Sequence, residues 1–198
     1  AKIGNKTTAG KAYSAANIKI DSKGVWLTAS EMAFCRAEGA LAGWSNMGGS
    51  AKDLYEEGVK LSFEQWGAGS ATAYLADNTS TEKNYVDPIS EYGGDVSAVS
   101  NITIKWDDSA TDEQKMERLI TQKWIAMFPN GQEGWSEIRR TGYPKVFPLA
   151  QSTDYSIQVA NRIPFDIDEA TNNKANYIKA VQLLKGNDDY ATKMWWQR

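Results

Sequence analysis

The sequence has no histidine and a single cysteine, and these two absences exclude most common catalytic chemistries. Without histidine there is no Ser-His or Cys-His pair, no imidazole acid or base, and no histidine-ligated zinc. One cysteine cannot form an intramolecular disulfide. Cys35 lies among apolar residues of a predicted helix, which favours a buried apolar thiol over a nucleophile. Any catalysis would therefore depend on carboxylates, lysines or tyrosines.

Long apolar runs and an excess of basic residues are also missing. The apolar stretches are short and broken by charges, so we expect no transmembrane helix, and residues 1–24 lack the pattern of a signal peptide. Lysine and arginine total 22 against 25 aspartates and glutamates, a net charge of −3. Nucleic-acid-binding proteins usually carry a basic face, so we predict no nucleic acid partner.

Tryptophan and tyrosine are abundant. There are 8 Trp and 9 Tyr against only 5 Phe, so the aromatic excess lies in rings that have both an apolar face and a polar edge. Sugar-binding surfaces use this combination, because a pyranose presents an apolar C–H face that stacks on an aromatic ring. Core packing is the alternative for most of these side chains.

Helix start and stop signals predict a helix hairpin near the start of the chain. Residues 1–24 are polar and lack a sustained period, which predicts an extended arm or the tail of a preceding segment. Residues 25–67 predict two amphipathic helices, since Thr28 and Ser50 are capping residues and the turn GWSNMGG separates the two apolar patterns. Their alternation of small and large residues resembles that of tetratricopeptide-type helix pairs.

The rest of the chain predicts a loop insertion followed by further helices. Residues 68–110 lack a strong period, although NITIKW at 101–106 alternates and predicts a short strand. Residues 111–198 predict helices and a C-terminal tail, with a loop over 145–172. The predicted helices are Asp112 to Phe128, the short segment EGWSEIRR, and 174–184. The whole pattern predicts a mainly α fold with long loop insertions.

Five segments in order resemble one protein family. They are TASEMAFCRAEGALAGW, AKDLYEEGVKLSFEQWG, QKWIAMFPNGQEGWSEIRRTGYP, RIPFDIDEATNN and GNDDYATKMWW. Together they resemble the SusD/RagB-like outer-membrane lipoproteins of Bacteroidetes, over most of residues 25–196, and the third segment is the most specific. The match is similar to the C-terminal part of such a protein, so we expect residues 1–198 to be one part of a longer SusD-like domain.

The resemblance implies a SusD-like fold of tetratricopeptide-like helix pairs. It also implies a lipid-anchored protein of the outer-membrane surface that captures glycans or other nutrients for a SusC-like TonB-dependent transporter. Family members begin with a lipidated cysteine after a signal peptide, and Cys35 does not correspond to that anchor because it lies within a helix. We predict a binding protein with no catalytic residue, no cofactor and no metal.

The loop insertion supplies most of the candidate ligand contacts, because binding residues concentrate on loops held by a rigid scaffold. The predicted ligand-binding residues are Tyr74, Tyr85, Tyr92 and Trp106, with Trp44 in the hairpin turn as a further candidate. The family resemblance assigns none of them, since its glycan contacts follow no fixed motif. Alternatively, these rings fix the loop onto the helices.

The segment WSEIRRTGYP contains two adjacent arginines that suggest an anion site. Adjacent helical side chains point about 100° apart, so Arg139 and Arg140 cannot both serve one small ligand. We predict instead that one of them pairs with Glu137 or Glu133, or caps the helix end. The tail tryptophans are predicted to fold onto the body as a latch. The structural signature residues are Trp124, Trp135, Arg139, Arg140, Gly142, Trp195 and Trp196.

Two other functions stay open. One is a tetratricopeptide-like scaffold for protein interactions, without affinity for glycans. The other is a carboxylate-dependent glycoside hydrolase, which would need two acidic side chains at a defined separation in a cleft. Its candidate acids are Asp107, Asp108, Asp166, Asp168, Glu169, Asp188 and Asp189.

Overall fold

The computed structural model describes residues 18–22, 24–87, 95–147 and 159–197. The described residues form seven helices and a single isolated β-bridge. The helices are α1 (Ala29–Leu41), α2 (Ala51–Trp66), α3 (Thr72–Ala76), α4 (Asp112–Ala126), α5 (Gly131–Thr141), α6 (Ile167–Asn172) and α7 (Lys174–Leu184). The predicted mainly α class is confirmed. None of the described helices combines the length and the apolar character needed to cross a membrane.

The predicted hairpin is present as α1 and α2, which pack on each other more extensively than any other pair of described helices. The side chains of Thr28 and Ser50 accept hydrogen bonds from the backbone N–H groups of Glu31 and Asp53, so both N-terminal caps are formed. α2 ends at Gly67, which has a left-handed φ of 62°. Local sequence signals therefore set both helix starts and the end of α2.

The core lies where α1, α2 and α4 meet. Phe34 of α1 meets Tyr55 of α2 edge to face, with ring centroids 6.1 Å apart, and the Tyr55 ring lies 5.2 Å from that of Trp106. Leu119 and Ile120 of α4 are fully buried in the same cluster. The loop insertion is thus anchored to the helix hairpin by an aromatic ring in the core.

The strand predicted over 101–106 is wrong. No described strand pairs with this segment, and side chains from the helices take its carbonyl groups instead. The Tyr55 hydroxyl donates to the carbonyl of Ile104 at 2.6 Å, and Arg118 Nε donates to that of Thr103 at 2.9 Å. These two carbonyl groups therefore find donors without a β-ladder.

Two short helices lie where loops were predicted. α3 has 5 residues and falls inside the insertion, and α6 has 6 residues and falls inside the segment 145–172. The side chain of Asp166 caps α6 by accepting from the N–H of Asp168. Helices this short contain too few turns to show an apolar period. The division of the chain at residues 24, 67 and 110 stays a prediction.

Candidate functional site

A cleft of about 620 Å³ opens between α1 with the turn after it, α4 and α5. Its lining combines one tryptophan with several charged side chains. The lining includes Trp44, Glu38, Lys123, Glu133, Glu137 and Arg140. A concave site with an aromatic surface and a few convergent polar groups is typical of small-molecule binding.

The turn after α1 places Trp44 at this cleft. Its backbone N–H donates to the carbonyl of Gly39 at 2.9 Å, and Gly43 before it has a φ of +80°, which glycine adopts without strain. Gly39 lets the indole approach the helix, because a Cβ there would lie 3.1 Å from Trp44 Cε3. The Trp44 side chain is nevertheless 69% exposed, so much of the ring is free to stack on a ligand.

Buried ion pairs form one wall of the cleft. Glu137 is 4% exposed and Lys123 is 3% exposed. Glu137 accepts from Lys123 Nζ at 2.8 Å and from Arg140 Nη2 at 2.7 Å. Arg140 also reaches α1, where its two Nη atoms donate to the two carboxylate oxygens of Glu38 at 2.5 and 2.7 Å. The predicted pairing of an arginine with Glu137 is confirmed.

Burial and ion pairing act in opposite directions on these groups. Burial works to raise the pKa of Glu137, but hydrogen bonds from Arg140 and Lys123 outweigh it and hold that pKa below its ordinary value. Burial works to lower the pKa of Lys123, but the Glu137 carboxylate outweighs it and the pKa is raised. Both shifts favour the charged pair, so Glu137 is an anion and Lys123 a cation at neutral pH.

Arg139 has a different environment from its neighbour. Its guanidinium carbon lies 4.0 Å from the centroid of Trp135 and 4.6 Å from that of Trp196. The stacking joins the C-terminal tail to α5, as a latch requires, and each cation–π contact is favourable. Trp135 Nε1 also donates to the carbonyl of Ala160 at 2.7 Å. Trp195 beside the latch is 92% exposed.

The remaining signature residues shape the ends and contacts of helices. Gly142 ends α5 with a left-handed φ of 79°. Trp124 packs on Gly134, where a Cβ would lie only 2.9 Å from the indole nitrogen. α4 and α5 therefore meet through a glycine and an indole.

Two of the predicted ligand-binding residues, Tyr74 and Trp106, lie in or beside the core. Trp106 is buried against Tyr55. The Tyr74 ring lies 5.2 Å from that of Phe63, and its hydroxyl donates to Gln122 Oε1 at 3.0 Å. In both cases the aromatic ring fixes the insertion onto the helices, which is the alternative that the sequence left open.

Tyr85 and Trp44, the other predicted ligand-binding residues that the structure describes, lie in different surroundings. Tyr85 forms the isolated bridge with Val96, and its ring lies 6.1 Å from that of Phe147. Tyr92 lies outside the described residues. Of the described candidates, Trp44 alone lines the cleft. The four predicted residues that the structure describes are therefore not gathered into one site.

The acidic residues of the hydrolase alternative have structural contacts. Asp107 accepts from the backbone N–H and hydroxyl of Ser109, and Asp166 caps α6. Asp188 forms an ion pair with Arg162 at 2.5 Å. Within the part of the chain that the structure describes, no group of three or more Cys, Asp or Glu side chains is arranged to hold a metal ion.

The charged cleft residues Glu38, Lys123 and Glu133 were not predicted from the sequence as ligand contacts. Each lies on a helix, where a single charge is usually a solvated side chain. Glu38 comes from α1 and the other two from α4 and α5. Because no local pattern joins them, only the packing of the three helices shows that they share a cleft.

The chain is similar to known proteins of one family. The family described as SusD-like, SusD and RagB outer membrane lipoprotein, matches residues 1–197. Among curated proteins, none matches the chain. A SusD homologue from Bacteroides uniformis is 44% identical with a TM-score of 0.86, and the match covers 94% of this chain and 39% of that one.

Two further solved structures are similar. A SusD homologue from Bacteroides thetaiotaomicron is 41% identical with a TM-score of 0.86, covering 99% of this chain and 44% of that one. A chitin-binding SusD homologue from Flavobacterium johnsoniae is 46% identical with a TM-score of 0.76, covering 86% of this chain and 36% of that one.

The chain thus spans 36 to 44% of the length of these three proteins. The family match extends over 197 of the 198 residues, and the helical architecture agrees with that of the similar structures. As the five sequence segments predicted, the chain belongs to the SusD-like family of SusD and RagB outer-membrane lipoproteins.

Proposed function

We propose that this chain binds a glycan in the cleft at Trp44. The observation that carries the proposal is the largely exposed indole of Trp44 at a cleft whose other walls bear hydrogen-bonding side chains. A pyranose stacks its C–H face on the indole, and its hydroxyl groups donate to the carboxylates of Glu38 and Glu133. The chitin-binding protein among the similar structures supports this class of ligand.

The size of the cleft limits how much of a glycan it holds. Its volume of about 620 Å³ falls in the range of roughly 300–1,000 Å³ that is usual for small-molecule sites. A short oligosaccharide segment fits such a volume, with the rest of a longer chain outside it.

On the cell surface, the bound oligosaccharide passes to a SusC-like TonB-dependent transporter. Co-purification of the two proteins from outer membranes tests this partnership.

Replacing Trp44 by alanine tests the site. We expect Trp44→Ala to weaken oligosaccharide binding by about tenfold or more, because a central aromatic contact often contributes 2 kcal/mol or more. Isothermal titration calorimetry with a panel of oligosaccharides gives the affinities, and circular dichroism shows whether the helices are intact. The parent chain is expected to show a change in tryptophan fluorescence with the same ligands.

Trp66→Ala is the matched control, since Trp66 is also exposed but lies at the end of α2 and does not line the cleft. Its affinity for oligosaccharides is expected to equal that of the parent. If Trp44→Ala binds as tightly as the parent, the cleft at Trp44 is not the glycan site.

A second candidate function, a scaffold for protein interactions, is favoured by a different observation. Several large apolar side chains on α6, α7 and the tail are exposed, and such surfaces often mark interfaces. They include Ile167, Ile178, Leu183 and Trp195. A glycan panel that produces neither heat nor a fluorescence change would favour this function over glycan binding.

A further inference from the structure

The cleft lining contains more negatively charged than positively charged side chains. Three carboxylates, those of Glu38, Glu133 and Glu137, face two cations, Lys123 and Arg140. The lining therefore carries a net charge of −1 when all five groups are ionised. Among the described residues, no other lysine or arginine lines this cleft.

Both cations are already engaged by carboxylates. Lys123 is almost fully buried and donates to Glu137 at 2.8 Å. Arg140 donates to both oxygens of Glu38 and to Glu137. A ligand carboxylate or sulfate would have to compete with these carboxylates for Arg140, whose side chain is 39% exposed, inside a lining of net negative charge. The cleft is therefore built against anionic ligands.

Glu133 differs from the other two carboxylates of the cleft lining, which already accept from Arg140 or Lys123. It lies in the first turn of α5, where its backbone N–H donates to the side chain of Asn130 at 3.2 Å. Its carboxylate makes no hydrogen bond or ion pair with any described residue, and the side chain is half-buried at the cleft. An ionised carboxylate only accepts hydrogen bonds, so a ligand must bring donors to it.

We propose that the cleft selects glycans carrying a protonated amine, such as glucosamine units, over neutral and anionic glycans, with Glu133 as the specificity-determining residue. The sugar ring stacks on Trp44 while the ammonium group donates to Glu133. A charge-assisted hydrogen bond of this kind is stronger than one from a neutral hydroxyl. The inference rests on the proposed glycan-binding function, because it concerns the same cleft.

Four β-1,4-linked oligosaccharides of equal length isolate the effect of charge. They consist of glucosamine, N-acetylglucosamine, glucose or glucuronate units, and the full chain is titrated with each by calorimetry. At about pH 6 the ordinary Glu carboxyl is ionised and the glucosamine amine is largely protonated. We expect the glucosamine oligomer to bind about two- to fivefold more tightly than the glucose oligomer, and the glucuronate oligomer to bind most weakly.

Glu133→Gln removes the charge and keeps the size of the side chain. Glutamine is also accepted at this third helical position, so α5 should persist, which circular dichroism verifies. We expect the variant to bind the glucosamine and glucose oligomers with equal affinity, so that the preference of the parent is lost. Glu64→Gln is the matched control, since it changes the net charge equally on an exposed side chain of α2 outside the cleft.

Salt provides a measurement that does not depend on any variant. Raising the ionic strength should reduce the preference for the glucosamine oligomer, because exposed charges are screened, while the affinity for the glucose oligomer stays constant. Equal affinities of the glucosamine and glucose oligomers for the parent would overturn the charge inference and leave glycan binding intact. A preference that persists in Glu133→Gln would remove Glu133 from this role. Absence of binding by all four oligomers and by the wider oligosaccharide panel would overturn the proposed function itself.

Discussion

Replacing Glu137 by glutamine is expected to lower the free energy of unfolding by about 3–5 kcal/mol. Glu137 is buried and accepts from both Lys123 and Arg140. Without its negative charge, the Lys123 ammonium stays buried and loses the carboxylate to which it donates, and Arg140 keeps only Glu38. Urea unfolding followed by circular dichroism at neutral pH measures the loss.

The same contacts predict an acid sensitivity in the parent chain. Hydrogen bonds from Arg140 and Lys123 hold the pKa of Glu137 below its ordinary value in the folded state. The stabilisation from this carboxylate is therefore fully present above the unfolded-state pKa and is lost as pH falls through the lower, folded-state pKa. The Glu137→Gln variant should lack this component of the acid transition.

Two comparisons make the Glu137 prediction specific. Glu64→Gln, on an exposed part of α2, should change stability by less than about 0.5 kcal/mol. Replacing Lys123 and Glu137 together by methionines should recover much of the loss, because two apolar side chains leave no unpaired charge between them. A loss below about 1 kcal/mol in Glu137→Gln would mean that water or a rearranged side chain compensates Lys123.

The second large effect is expected from a single added methyl group at Gly58 in α2. Its Cβ would lie 2.8–2.9 Å from three atoms of the Phe34 ring, and that ring is fully buried against Tyr55. Gly58→Ala should therefore lower the free energy of unfolding by about 1–3 kcal/mol, although alanine is intrinsically the better helix former by about 1 kcal/mol. Thermal and urea unfolding measure the change.

Gly131→Ala is the control for helix propensity alone. Gly131 is the first residue of α5, and a Cβ there would meet no atom within 4 Å. This variant should be as stable as the parent or slightly more stable. If Gly58→Ala behaves in the same way, α1 and α2 are able to separate without cost, and their close packing through Gly58 does not determine the stability of the hairpin.

Comparison of the helix ends with the segment at 101–106 shows which kinds of structure could be predicted. The caps at Thr28 and Ser50 and the end at Gly67 depend on residues within one turn of the helix, so local sequence contains the whole signal. The segment at 101–106 alternates like a strand, yet Tyr55 and Arg118 take its carbonyls. Those donors lie on distant helices, and no local pattern shows them.

The candidate site also combines a residue that the sequence indicated with features that depend on the packing of distant segments. Trp44 could be proposed from its place in a glycine-rich turn. Tyr74 and Trp106 are also aromatic residues of a predicted loop, but they lie against the core. Exposure of an aromatic ring depends on what packs over it, which is a property of the whole fold. The carboxylate of Glu133 differs from the others in the cleft lining because Lys123 and Arg140 pair with Glu137 and Glu38, and these pairs form between different helices.

The helix pair, the mainly α class and the family follow from local sequence, because caps, apolar periods and ordered motifs are carried by neighbouring residues. The sequence also established that Arg139 and Arg140 point in different directions, since the helical period requires it. Their partners depend on distant parts of the fold, since Arg140 pairs with Glu38 of α1 and Arg139 stacks on Trp196 of the tail. Contacts between segments far apart in the chain come from packing, and packing decides where the charges and the exposed indole of the cleft lie.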